Sequence, residues 1–324
     1  MLSLPFMQRA LFAALLSGLA APAIGIYIVQ RRMSLLGDGL GHVAIMGVGF
    51  ALLTGTAPLP VAVVTCILGA VAVEVLRQHG KTSGDLALAI LFYGGLASGV
   101  MMAGMAGQGA AGLTGFLFGS LTSVSVGDIW LIGILSVIIL VVTIGLSPRL
   151  FAVAADEEHA RVQGVKVNWL NLLVVVLAAV TITVSMRTVG LLLISALMVI
   201  PVATAQQTFI GFRATFVGSM AIGAIAAVSG TVGSFYLDTA TGATIVVTAI
   251  ALLALSWLVG KRISGSQRYL PYATGTSHQD DGLHRIVEQA GVATGGPTPG
   301  RDGHQRSSSP VEHSRLEESP HVDS

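Results

Sequence analysis

Nine stretches of the chain are apolar for long enough to cross hydrocarbon, near 8–30, 35–54, 58–76, 85–105, 127–146, 168–186, 189–207, 214–236 and 240–260. A bilayer core about 30 Å thick is crossed by about 20 residues of helix. A stretch such as LLVVVLAAVTITV (172–184) is apolar on every side, whereas a strand of a transmembrane barrel alternates between lipid and lumen. The expected fold is therefore all-α, a polytopic transmembrane helical bundle of about eight or nine spans. Composition agrees, because 53% hydrophobic and 10% charged residues, with a mean hydropathy of +0.80, leave too little polar surface to coat a soluble globule. Residues 106–124 are too rich in Gly and Ser for a span, and are expected to form a re-entrant or short interfacial piece.

Arg9 followed by ALFAALLSGLAAPAIGIYIV has the look of a secretory leader. The run is long enough to span, and RRMSLLGDGLGH follows it in place of a polar mature domain, so it reads as the first transmembrane helix. Basic residues then set the expected orientation. Arg31/Arg32, Arg77/Lys81, Arg149/Arg161/Lys166, Arg213 and Lys261/Arg262 follow every second run, and short cytoplasmic loops are the ones enriched in Lys and Arg. That pattern puts the N-terminus outside and the C-terminus in the cytoplasm of a bacterial plasma membrane, with Arg187 as the one exception facing out. Past Arg262 the chain turns polar, so residues 1–262 read as a transmembrane domain and 263–324 as a disordered cytoplasmic tail. Five of the eight histidines (His278, His284, His304, His313 and His321) lie in that tail at irregular spacing, a poor pattern for a metal site. The single cysteine, Cys66, excludes an intramolecular disulfide and a cysteine metal cluster, and no basic patch supports nucleic-acid binding.

An ionisable group at membrane depth costs about 2.5–3.5 kcal/mol on insertion scales and faces a cavity or a partner. Asp38 and His42 in GDGLGHVAIMG stand out, because a spacing of four puts both on one helix face. A carboxylate with an imidazole suits a divalent transition ion such as zinc or manganese. Two ligands do not complete a site, and the plainer reading is a capping Asp beside a His satisfied by a nearby carbonyl. Glu74 and Asp85, beside Arg77 and Lys81, read as interfacial ion pairs or caps; Asp128 reads as an N-cap and Asp238 as part of an outer turn. Pro201 interrupts the seventh run and frees a backbone carbonyl. The connection 147–169 is the longest on the basic side. In it Ala154 to Val162 suit a short amphipathic helix ended by Gly164, either a solvated connector or a docking surface for a soluble partner. GQGAAGLT (107–114) has the glycine spacing of a phosphate loop, but Leu113 stands where Lys must reach the phosphates. Metalloprotease, serine hydrolase and aspartyl protease signatures are absent, so the chain is expected to be a transport protein and not an enzyme.

The order of motifs, RRMSLLGDGLGH, then FLFGSL, then ARVQGV, then VGLLLISALMVIPVATA, resembles the permease subunit of the zinc/manganese ABC transporter family over roughly residues 5–260. The resemblance implies an ATP-driven importer. Such an assembly has two permease copies, cytoplasmic ATP-binding subunits that carry out hydrolysis, and an extracytoplasmic metal-binding protein. It implies that Asp38 and His42 line the metal path, and that Asp156, Glu157, Ala160, Arg161 and Gly164 belong to the loop coupled to the ATPase. No cofactor is implied; the ion, zinc first with manganese or iron behind it, is cargo. Gly41 stands where the family has Ser or Ala, a difference of packing and not of ligation. A permease for a metal chelate such as an iron-siderophore would share the scaffold but lacks this Asp/His pair. An ion-coupled secondary transporter would show internal repeats with broken helices, and none is visible.

Overall fold

The computed structural model describes residues 5–78, 84–107, 111–120 and 125–263. These form twelve helices: α1 (Pro5–Gln30), α2 (Leu36–Thr54), α3 (Pro58–Gln78), α4 (Gly84–Met105), α5 (Ala111–Phe118), α6 (Val126–Gly145), α7 (Ser147–Ala155), α8 (Glu157–Val162), α9 (Val167–Ser185), α10 (Ile194–Thr208), α11 (Phe212–Leu237) and α12 (Thr241–Ile263). Eight of them, α1, α2, α3, α4, α6, α9, α11 and α12, are long and apolar enough to cross a membrane. The expected tail lies outside the described residues except for Ile263, which ends α12.

Three helices make the centre. α1, α2 and α9 are each mostly buried, whereas α3, α4, α6 and α12 turn most of their apolar surface outward. α1 packs against α11, α10, α6 and α9, and α2 lies between α3 and α4 while touching α9. Because lipid is as apolar as these side chains, helix association draws on close van der Waals packing and small residues instead of on hydrophobic expulsion. α1 and α11 approach through glycine on both sides: a Cβ on Gly18 would lie 2.6 Å from the carbonyl oxygen of Gly223, and one on Gly223 would lie 2.4 Å from that of Gly18. Gly25 does the same against α10, where a Cβ would stand 2.1 Å from the Met198 carbonyl oxygen.

The seventh apolar run departs from expectation. It is not one helix over 189–207, because residues 186–193 run as turns, with Gly190 at φ 86°, and α10 starts only at Ile194. Fifteen residues rise about 22 Å, short of the hydrocarbon thickness. The unwound backbone is satisfied sideways. Leu191 and Leu192 donate to the Phe116 and Leu117 carbonyls at 2.9 and 3.2 Å, and Ser120 donates to the Arg187 carbonyl at 3.1 Å. The Gly-rich segment expected to be re-entrant or interfacial thus holds one short helix, α5, whose end supplies those partners. Pro201 sits buried inside α10.

Arg187, expected to face outward alone, is partly buried. Its Nε lies 3.7 Å from Asp128 Oδ2, and its guanidinium sits 4.8 Å over the Phe116 ring. Asp128 is not the N-cap of α6. That role falls to Ser125, whose Oγ accepts from the Asp128 N–H at 3.1 Å while Asp128 Oδ2 accepts from the Ser125 N–H at 3.0 Å, a reciprocal capping box. Glu74 behaves as expected and pairs with Arg77 through two bonds of 2.9 Å.

Gly25→Ala inserts a methyl group into the Met198 carbonyl and should destabilise by about 1–3 kcal/mol despite the better helix propensity of Ala. Gly94→Ala, where nothing lies within 4 Å, should be neutral or slightly stabilising. Thermal unfolding midpoints in one detergent check the contrast.

Candidate functional site

α2 opens with LGDGLGH, and its first two turns carry the singled-out groups, Asp38 in the first and His42 in the second. Asp38 is partly exposed and His42 is 8% exposed. His42 Nδ1 lies 2.7 Å from the backbone carbonyl oxygen of Asp38. A carbonyl only accepts, so Nδ1 carries the proton and donates; in the neutral ring this leaves the lone pair on Nε2. The plainer reading, a histidine satisfied by a carbonyl, is therefore present in the structure. It is also the arrangement that fixes the tautomer of a metal-ligating imidazole. The ring is held in place by Phe92 of α4, with ring centroids 3.9 Å apart.

Three elements converge on this turn. From α4, Gly95 presses so close that a Cβ there would stand 2.7 Å from the His42 carbonyl oxygen. From the unwound segment, the Leu191 carbonyl lies 3.2 Å from where a Cβ on Gly41 would stand, and just after it, at the second residue of α10, Ser195 Oγ lies 2.6 Å from the same point on Gly37. From α3, the Cys66 thiol donates to the Leu40 carbonyl at 3.3 Å. Ser195 Oγ is buried without a hydrogen-bond partner beside this turn. The Asp/His pair thus sits level with the break before α10, where backbone does not follow a helix. Among the described residues no group of three or more His, Cys, Asp and Glu could hold a metal ion.

The second candidate region is the connection between α6 and α9. A single helix was expected over 154–162; the structure breaks it at Asp156, which is extended at φ −155° and caps α8 by accepting from the His159 N–H at 2.9 Å. Local competition from a capping Asp explains the break. Gly164, at φ 80°, ends the turn, as expected. Ala160 is buried and accepts from the Val165 N–H at 3.1 Å. The outward face is instead Glu158, Arg161 and Val162, the last of them 86% exposed. Glu157 turns back to the bundle. Its carboxylate takes the Arg31 guanidinium, and Asn171 of α9 donates to it at 3.1 Å while also accepting from Arg31. Sequence reasoning missed this knot; the available sign was Asn171, a polar amide near the start of an otherwise apolar run.

Comparison with known proteins gives the same picture. The chain matches the ABC 3 transport family over residues 3–260. It is 31% identical to the manganese transport system membrane protein MntC of Halalkalibacterium halodurans, over 83% of this chain and 92% of that one. It is 30% identical to the high-affinity zinc uptake system membrane protein ZnuB of Haemophilus influenzae, over 79% of this chain and all of the relative (100%). The solved structure of PsaBC from Streptococcus pneumoniae in complex with Fab superimposes with a TM-score of 0.72 at 29% identity, covering 79% of this chain and 92% of that one. The all-helical bundle, its multiple apolar spans and these matches together place the chain in the ABC 3 transport family, as a permease of the metal ABC transporter kind.

Proposed function

We propose that this chain is the membrane-spanning permease of an ATP-driven importer that moves a divalent transition-metal ion into the cell. The observation that carries the reading is the Asp38–His42 turn: a carboxylate and an imidazole on one face of a central helix, with the histidine tautomer set by the Asp38 carbonyl so that Nε2 faces the ion. Since the pair supplies two ligands, water, a group from another span or a group from outside this chain completes the coordination. A second copy of the permease is the natural source of the outside groups. An incomplete set suits a transport path, where an ion must bind well enough to enter and weakly enough to leave.

Zinc stands first among the cargo ions on ligand chemistry, because imidazole-containing sites bind zinc more tightly than manganese in the Irving–Williams order. Relatives named for each metal support a transition ion as the class. Counting the unwound residues 186–193 together with α10 as one further crossing, the basic ends of alternate crossings orient the chain with its C-terminus and the α7–α8 segment in the cytoplasm. There Asp156, Glu157, Ala160, Arg161 and Gly164 build the segment that docks on the ATP-binding subunit, Ala160 as its buried anchor and Arg161 on its outer face. ATP-driven closure of those subunits pushes on this segment and alternates access to the Asp38–His42 turn. An extracytoplasmic binding protein delivers the ion at the opposite face. Pro201 frees the Leu197 carbonyl within α10, and gives the short helix a place to bend as access alternates.

Replacing Asp38 and His42 together by Ala should abolish growth on limiting metal at unchanged protein abundance, and each single change should lower uptake by roughly 10–100-fold. Whole-cell uptake of zinc, manganese and iron, measured separately, checks this and names the cargo; uptake unchanged in the double variant would end the assignment of these two residues. In the second test, Val162→Cys should crosslink to the ATP-binding subunit while the buried Ala160→Cys should not. Labelling of Val162→Cys in intact cells by a membrane-impermeant maleimide would reverse the orientation.

A further inference from the structure

The end of the bundle that carries α7 and α8 holds a polar knot that neither the metal pair nor the docking face explains. Arg31 follows α1, and its side chain is only 6% exposed. It gives hydrogen bonds to Glu157 of α8 and to Asn171 of α9, and Asn171 donates to Glu157 in turn. Cation, carboxylate and amide close a triangle that joins the turn between α1 and α2 to α8 and α9. A second set ties α3 to α9: Glu74, wholly buried, accepts from Arg77 and from Gln78 at 3.0 Å, and Gln78 reaches the Asn168 carbonyl at 3.4 Å. α3 lies against α2 as well.

Arg31 is also the last residue but four before α2, and the turn between them has little freedom. The Arg31, Arg32 and Met33 N–H groups donate to the carbonyls of Tyr27, Val29 and Ile28 at 3.2, 3.1 and 3.0 Å, and the Leu36 N–H donates to the Met33 carbonyl at 2.9 Å. Arg32 sits at φ 56°, a left-handed conformation that a side chain with a Cβ adopts only when its surroundings impose it. A turn tied this way cannot absorb a displacement at Arg31 and hands it on to Leu36 and Asp38. An ion pair buried on one side only, as here with Glu157 39% exposed, adds little net stability, because desolvation and solvent screening offset its attraction. What it does well is fix one geometry.

We propose that Arg31 is the positioning residue through which movement of the α7–α8 segment reaches α2 and its Asp38–His42 turn, by way of Glu157 and the tied turn 31–35. The inference rests on the reading of that segment as the ATPase contact. It is tested on the whole transporter in liposomes, this chain assembled with its ATP-binding subunit and supplied with the metal-loaded binding protein. Two ratios are read: metal ions moved per ATP hydrolysed, and hydrolysis with binding protein over hydrolysis without it.

In Arg31→Gln the ATP-binding subunit should stay bound and basal hydrolysis continue, while both ratios fall by roughly tenfold. Arg31→Lys, which keeps the charge and loses the fork, should fall part of the way. Arg31→Glu should fall like Arg31→Gln, and adding Glu157→Arg should recover most of the loss. Ratios unchanged in Arg31→Gln, an exchanged pair no better than Arg31→Glu alone, or loss of the ATP-binding subunit from every Arg31 variant would each overturn the proposal. Wild-type transporter that answers the binding protein with hydrolysis but moves no zinc, manganese or iron would instead overturn the metal reading. The stimulation ratio would still decide the part played by Arg31.

Discussion

Hydrocarbon offers no hydrogen bonds, so a chain that leaves the helix at membrane depth must find partners for its peptide groups inside the protein. Residues 186–193 do leave it, and the rest of the architecture is arranged around that fact. The N–H groups of Leu191 and Leu192 go to the end of α5, a helix of eight residues too short to span anything. Because those partners are in place, α10 can begin deep within the bundle, and Ser195 and the Leu191 carbonyl can stand against the Gly37–Gly41 edge of α2. Had the seventh run been an unbroken helix, its side chains would occupy the space where the Asp/His turn now meets bare backbone.

His42 shows why a structural and a functional reading of one residue need not compete. Donating from Nδ1 to the Asp38 carbonyl removes the cost of a buried polar nitrogen. In the neutral ring the same bond fixes the tautomer that leaves the other nitrogen free to ligate. Phe92 and the close approach of Gly95 then hold the ring and its helix turn against α4. Protein contacts hold the ring, which suits the loading and emptying site proposed for it.

The spans and the Asp38–His42 pair were legible in the sequence because both signals are local: a run of apolar residues is read against a fixed bilayer thickness, and an ionisable pair four apart is read on one helix. The break before α10 was not, because VGLLLISALMV is as hydrophobic as a span and the bonds that unwind it come from residues some 75 positions earlier. The division of the α7–α8 segment at Asp156 was missed for a local reason, since a capping residue within an amphipathic stretch can start a helix as readily as continue one. Arg31 and Glu157 are 126 positions apart. Arg31 was counted only as one of the basic residues that mark an inner loop, although its charge is spent within the protein.

The thiol of Cys66 is wholly buried and engaged with the Leu40 carbonyl, and the sequence has no other sulfhydryl. Natural protein should therefore be silent toward maleimides and methanethiosulfonates as long as it stays folded. Reporter thiols can be introduced one at a time into the unaltered chain, without first building a cysteine-free background that would disturb the wall behind the Asp38–His42 stretch of α2. Any reactivity of the parent protein would then report that α3 has come away from α2.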